Sequence, residues 1–88
     1  MRINDIVWDQ DSIAHIARHG VEQTEVEDIC FTMNPFVLKA RNNRYFVLGQ
    51  THSGRYLTIV FECLGHNTAK IITARAMSEA ERKLTQRR

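Results

Sequence analysis

Two cysteines in 88 residues are too few for a disulfide framework. Cys30 and Cys63 both fall in apolar runs, so the expectation is a pair of reduced core thiols in a cytoplasmic protein. No basic segment followed by an apolar run opens the chain, which argues against a secretory leader. No apolar run approaches the ~18 residues of a membrane-spanning helix, so no membrane role is expected. Repeats and low-complexity linkers are missing too, and residues 1–88 read as one domain. A chain of this size buries only about 60% of the surface its unfolded form exposes, which leaves room for a partner surface.

What is present is an ordinary globular balance, 43% hydrophobic and 25% charged. The net charge of +2 conceals an asymmetry. Residues 1–34 carry seven acids against two bases, while residues 35–75 carry six bases against Glu62 alone. Residues 76–88 add four bases and two acids. A basic second half suits a polyanion such as RNA; equally, the two halves could neutralise each other across the fold.

Ile3 to Trp8 reads as a short strand. Asp9 or Asp11 can cap a helix that ends at Gly20, with Ile13, Ile16 and Ala17 as its apolar stripe. Thr24-x-x-Glu27 is a capping box for a second helix with the stripe Val26, Ile29, Cys30 and Met33. The one proline, Pro35, ends it, because the residue before proline avoids helical backbone angles. Phe36–Ala40, Arg44–Gln50, Arg55–Leu64 and Asn67–Arg75 read as strands, rich in β-branched and aromatic residues. The turns between them are short, so neighbours run antiparallel. Ser78 to Gln86 is the last helix. The fold class is therefore α+β: two N-terminal helices packed on a twisted antiparallel sheet of three to five strands, then a short C-terminal helix.

Turn lengths give a register. Gln50 opposite Arg55 and Leu64 opposite Asn67 put Phe46, Leu48, Leu57, Ile59, Phe61, Ile72 and Ala74 on the core face. The other face then carries Tyr45, Val47, Tyr56, Thr58, Val60, Thr73 and Arg75. A bulge or a one-residue slip reverses this split.

The segment Ile71–Glu81 concentrates the chemistry. An apolar strand ends in Arg75, and a helix starts behind Ser78-x-x-Glu81. An arginine at such a junction is held on rigid elements and can grip phosphate, or it can bind the C-terminal helix through Glu81. Arg55, after Gly54, can join it or pair with Glu25 or Asp28. His19 ends the first helix; an imidazole there can exchange a proton near neutral pH or simply bond terminal carbonyls. His15 and His19 lie one helical turn apart, but zinc needs further ligands and none stands out, so no metal and no cofactor are expected. Arg41 and Arg44 flank a turn as a cationic edge. Tyr56 and Tyr45 can stack on a nucleobase or cover the last helix. Arg82, Lys83, Arg87 and Arg88 form a basic tail.

The order of these pieces resembles the BrnT-type toxins, ribonucleases of type II toxin–antitoxin systems with a RelE-like fold. The resemblance rests on Trp8-Asp9, Ile16-x-Arg18-His19-Gly20-Val21, Glu25-Val26-Glu27, Arg44-Tyr45 and Leu48-Gly49-Gln50-Thr51. It continues through Gly54-Arg55-Tyr56-Leu57, Val60-Phe61, Ile71-Ile72-Thr73-Ala74-Arg75, Met77 and Glu81-Arg82. The chain departs at Ala76, where many such toxins carry lysine, and near Thr85, where many carry tyrosine. The resemblance implies an mRNA-cleaving toxin held by a DNA-binding antitoxin of the ribbon-helix-helix type, with operator DNA reached only through that antitoxin. Metal-free cleavage needs cations on the phosphate and a proton carrier. Arg75, Arg55 and His19 are the catalytic expectation, and Arg41, Arg44, Tyr56, Arg82 and Lys83 the RNA-binding one.

Overall fold

Three short hairpin connections, closed by backbone bonds from Ala40 to Arg44, Thr51 to Arg55 and Leu64 to Thr68, set the geometry of the sheet. The strands they join are β2 (Phe36–Lys39), β3 (Arg44–Gln50), β4 (Tyr56–Cys63) and β5 (Thr68–Ala76). The structure, a computed structural model, describes residues 2–32 and 34–86. The Met33 end of the expected second-helix stripe and the Arg87–Arg88 end of the basic tail lie outside the described residues. Two helices, α1 (Gln10–Arg18) and α2 (Gln23–Cys30), precede the hairpins, and α3 (Glu79–Gln86) follows them. The N-terminal strand β1 (Asp5–Val7) pairs parallel to β5, giving a five-stranded mixed sheet in the order β1-β5-β4-β3-β2. The α+β layout read from the sequence is the one observed, with β1 as a parallel edge added to an antiparallel sheet of four.

Asp9 caps α1 by accepting from the Ser12 N–H at 2.7 Å, and Ser12 answers to the Asp9 N–H. Gly20 ends that helix with φ of +70°, a backbone angle glycine adopts without a Cβ penalty. The cap of α2 is Glu22, whose N–H donates to Glu25 at 3.0 Å, and not the expected Thr24. The helix also stops at Cys30, well before Pro35, with Phe31 as its C-cap. Glu25 reaches back where Glu27 was expected to, because the helix starts two residues earlier than the Thr24 box requires.

The register differs from the sequence reading on β3. Gln50 faces Tyr56, not Arg55, because the loop between the strands is His52-Ser53-Gly54. Thr51 N–H donates to Arg55 O at 2.9 Å, and Gly54, at φ +98°, closes the loop. One residue fewer in the loop turns β3 over. Val47 enters the core, while Phe46 and Leu48 go to the opposite face. On β5 an extra residue at Ile72 makes a bulge opposite Val60–Phe61, so Thr58 faces Arg75 and Val60 faces Thr73. Leu57, Ile59, Phe61 and Ala74 keep their expected place inside.

The core lies between the helix layer and one face of the sheet. Ile16, Val21, Val26, Ile29 and Cys30 meet Val47, Leu57, Ile59, Phe61, Ile71 and Ala74, all buried. Each buried Val, Leu, Ile or Phe side chain among them contributes roughly 1.5–3 kcal/mol by leaving water. Gly49 lets α2 sit close, since a Cβ there would stand 2.6 Å from Ile29 Cγ2. The second face of the sheet carries α3 near one end. That end, where β3, β4 and β5 present Gln50, Tyr56, Thr58 and Arg75, is where the functional residues gather.

Candidate active site

Arg75 stands on the α3 side of the sheet, opposite Thr58. Its guanidinium meets the Glu81 carboxylate end-on. Nη1 donates to Oε1 at 2.8 Å and Nη2 donates to Oε2 at 2.9 Å. Nη1 also donates to the Ala76 carbonyl at 3.2 Å. Glu81 is fixed from three further directions. It accepts from Thr58 Oγ1 at 2.8 Å and from the Ser78 N–H at 2.8 Å, and its own N–H donates to Ser78 Oγ at 3.2 Å. Thr58 itself is fully buried. The Ser78–Glu81 capping box therefore aims the carboxylate at Arg75, and the arginine is anchored on strand and helix together.

This anchoring leaves a fork. The Nε–H and the second Nη2–H of Arg75 project in parallel from the guanidinium, on the side away from Nη1. Among the described residues neither meets a protein acceptor. The Arg75 side chain is 38% exposed, against 14% for Glu81, so the pair is open on the arginine's side. Two parallel N–H donors match two oxygens of a phosphate. The pairing also sets the charges. Its hydrogen bonds from Arg75 hold the Glu81 carboxyl at about 2, with smaller help from Ser78 and Thr58, and the Glu81 bond raises Arg75 further. Glu81 is thus an anion throughout the neutral range.

Tyr56 lies two residues from Thr58 on the same face, and Arg82 of α3 stands over its ring, 4.1 Å from the centroid. A groove of about 280 Å³ opens beside it, lined by Leu48, Gln50, Tyr56, Met77 and Gln86 among others. Arg82 is thus brought to Tyr56, while Arg75 stands opposite Thr58 and not opposite Tyr56, where the sequence reading put it.

The other expected residues lie elsewhere. Arg55 is on the helix side of the sheet. Its Nη1 donates to both Glu25 oxygens at 2.9 Å and to the Gly20 carbonyl at 2.8 Å, tying the β3–β4 loop to the ends of α1 and α2. His19 is the exposed C-cap of α1, next to that carbonyl, with its ring 5.7 Å from the His15 ring. So His19 and Arg55 form one neighbourhood and Arg75 another, across the sheet. Among the described residues no group of three or more His, Cys, Asp or Glu stands close enough to hold a metal ion. Arg44 shares the α3 side but sits at the far end of β3, four residues or about 13 Å from Leu48. Arg41 lies in the loop beyond it, and Lys83 is an exposed residue of α3. Sequence reasoning did not find Thr58 as a support for Arg75, nor Gln50 and Gln86 as groove residues. The available signal was a hydroxyl on the arginine's own face.

A family model described as the ribonuclease toxin BrnT of type II toxin–antitoxin systems matches residues 8–81. The chain belongs to the BrnT family of ribonuclease toxins. The match spans every site residue named above up to Glu81, so the Arg75–Glu81 pair is inside the BrnT domain, with Arg82 and Lys83 immediately after its end. Family membership makes it an endoribonuclease with a protein antitoxin as partner. In fold, this BrnT chain is similar to the crystal structure of the Brucella abortus ribonuclease toxin BrnT. The TM-score is 0.68 at 20% identity, over 85% of this chain and 97% of that one. No curated relative matches it. Among the described residues no helix is long and apolar enough to cross a membrane.

Proposed function

We propose that the chain cleaves mRNA without a metal ion, and that Arg75 holds the scissile phosphate. The observation that carries this reading is the unused Nε/Nη2 fork of an arginine whose plane is already fixed by Glu81. In the reaction the ribose 2′-oxygen bonds to phosphorus as its proton passes to water, and the bond from phosphorus to the 5′-oxygen breaks. The products are a 2′,3′-cyclic phosphate and a 5′-hydroxyl, whose proton comes from water. A guanidinium poised on the non-bridging oxygens stabilises the extra charge of the phosphorane without having to reorganise. Glu81 acts here as a positioning residue; a carboxyl held at about 2 is a weak acceptor for the 2′-proton.

The purified toxin, free of antitoxin, is expected to cut RNA in EDTA. Arg75→Ala should lose about a hundredfold or more in rate with the circular dichroism spectrum intact. Arg75→Lys should recover little, because an ammonium offers no fork. An unchanged rate in Arg75→Ala overturns the assignment.

A second reading puts the chemistry on the helix side. It is favoured by the Arg55–Gly20 bond, which brings Arg55 against the residue next to His19. Loss of cleavage in His19→Ala with Arg75→Ala unaffected selects it. For the partner, we propose a DNA-binding antitoxin of the ribbon-helix-helix type, encoded beside the toxin, through which operator DNA is met. Co-purification with the product of the neighbouring reading frame tests this.

A further inference from the structure

The second face of the sheet has a helix over one end only. We infer that the uncovered row of this face is the docking groove for the antitoxin, and that the segment seated there is an amphipathic helix with acids beside its apolar stripe. The inference rests on family membership, which supplies a protein antitoxin as partner, and adds where and by what chemistry that partner is held.

Leu38, Phe46, Val60 and Thr73 are register partners across β2, β3, β4 and β5. Their strand neighbours Val37, Val47, Ile59 and Ala74 pack on the core side, so this row stands on the other face. All four of its residues are only half-buried. Leu48, one row along, is buried, with Thr85 and Gln86 of α3 beside it. The flank of α3 that borders the open row follows from its own contacts. Glu81 points to Thr58, while Arg82, Thr85 and Gln86 turn to the Tyr56 side. With 3.6 residues per turn, Leu84 lies about 60° from Glu81 in the opposite sense. On β4 the opposite side is Val60, because Tyr56, Thr58 and Val60 follow one another along this face. Leu84 is 41% exposed. An apolar floor and an apolar wall thus meet without a cover.

The floor crosses four strands, about 14 Å, which is close to three turns of a helix. Its rim has a charge. The next row out is Arg44, Glu62 and Lys70, and Lys83 is exposed on α3. None of these four forms an ion pair among the described residues, so the cations outnumber the acid and are unspent. Acids flanking an apolar stripe match both rim and floor. RNA matches the rim but not the floor, where Thr73 alone offers a side-chain hydrogen bond to a base edge. A helix in this groove also lies across β3 between the Tyr56 end and Arg44, so it blocks a strand of RNA that follows β3.

The test titrates the full toxin with the purified product of the neighbouring reading frame, with affinity read by calorimetry and fold by circular dichroism. Leu84→Ser is expected to weaken the complex about tenfold, and Val60→Thr, which exchanges a methyl for a hydroxyl, about threefold. Val7→Ser, at an exposed apolar residue of β1, should leave the affinity unchanged. Hydrogen exchange on the partner should find a newly protected segment that carries Asp or Glu beside an apolar stripe at helical spacing. Wild-type affinity in both folded groove variants, or a protected segment without acids, overturns the groove and leaves the antitoxin reading intact. Weaker RNA binding by Leu84→Ser with partner binding unchanged gives the groove to RNA and overturns the inference equally. A wild type that does not bind the neighbouring product removes that partner and the groove with it.

Discussion

Glu81 gathers Arg75, Thr58 and the Ser78 N–H onto two oxygens, and that convergence has a pH signature. The folded-state value is about 2 against an ordinary 4.5, with the Arg75 hydrogen bond as the main cause. A lowered carboxyl stabilises the fold in full above its unfolded value, and the contribution drains away as pH falls from about 4.5 toward 2. Because Arg75 is partly solvated, the amount is roughly 1–2 kcal/mol. Urea unfolding at pH 6 and pH 3 checks this: wild type should lose more than half of that amount beyond the loss in Glu81→Gln, whose profile across the window should be flatter. A wild type and variant with parallel profiles would mean the pair is not holding α3. Cys30 makes a second residue-scale case. Burial, with a smaller push from Glu27, raises its thiol to about 12, whereas Cys63 is half-buried. A thiol reagent at pH 8 should modify Cys63 readily and Cys30 only at the rate of unfolding, as read by mass spectrometry of the labelled peptides.

At the level of elements, the close seat of α2 on β3 depends on Gly49. A methyl group there would stand 2.6 Å from Ile29 Cγ2, inside van der Waals contact, so helix and strand must separate or Ile29 must leave its rotamer. Gly49→Ala is expected to cost about 1–3 kcal/mol, measured by chemical denaturation. Ile29→Val alongside it should recover little, since valine keeps the crowding Cγ2, whereas Ile29→Ala should relieve the clash. The strands themselves were legible because Arg44–Gln50 and its neighbours are β-branched and aromatic runs bounded by turn residues. The side chains that face the core on β3 were not. Thr51-His52-Ser53-Gly54 reads equally as four turn residues or as three after a last paired Thr51, and only the Arg55–Thr51 bonds settle which. The bulge at Ile72 leaves no mark in an apolar run. The candidate site was half legible for the same reason. Arg75, Tyr56 and Arg82 sit on elements whose ends are marked, while Thr58 and Gln50 reach the site through registers that the loops decide. Arg55 was visible as a cation but not as a tie to Gly20, because a backbone acceptor has no sequence signature.

Across the whole molecule, charge is sorted by layer. The acids of α1 and α2 lie on one side of the sheet, and of the sheet-borne cations Arg55 crosses to them, through Glu25. Arg41, Arg44, Arg82 and Lys83 form no ion pair among the described residues, and Arg44, Arg82 and Lys83 are exposed on the strand and helix of the other side. Mutual neutralisation of the two halves is therefore mostly unrealised, and the field left over favours a polyanion on the α3 side. A single strand of RNA seated there releases counterions in proportion to the phosphates it places on cations. With Arg75, Arg82 and one of the remaining bases engaged, the logarithm of the association constant should fall with that of salt concentration with a slope of about −2. Arg82→Ala removes one contact and should shallow the slope by about 0.7. Arg44→Ala separates two sizes of footprint. A short oligonucleotide confined to the Tyr56 end should not notice it, while a longer strand that follows β3 should lose a further increment. Fluorescence anisotropy with RNAs of increasing length, each at several salt concentrations, measures both. A slope near zero for every length would mean that the positive side of this toxin faces something other than nucleic acid.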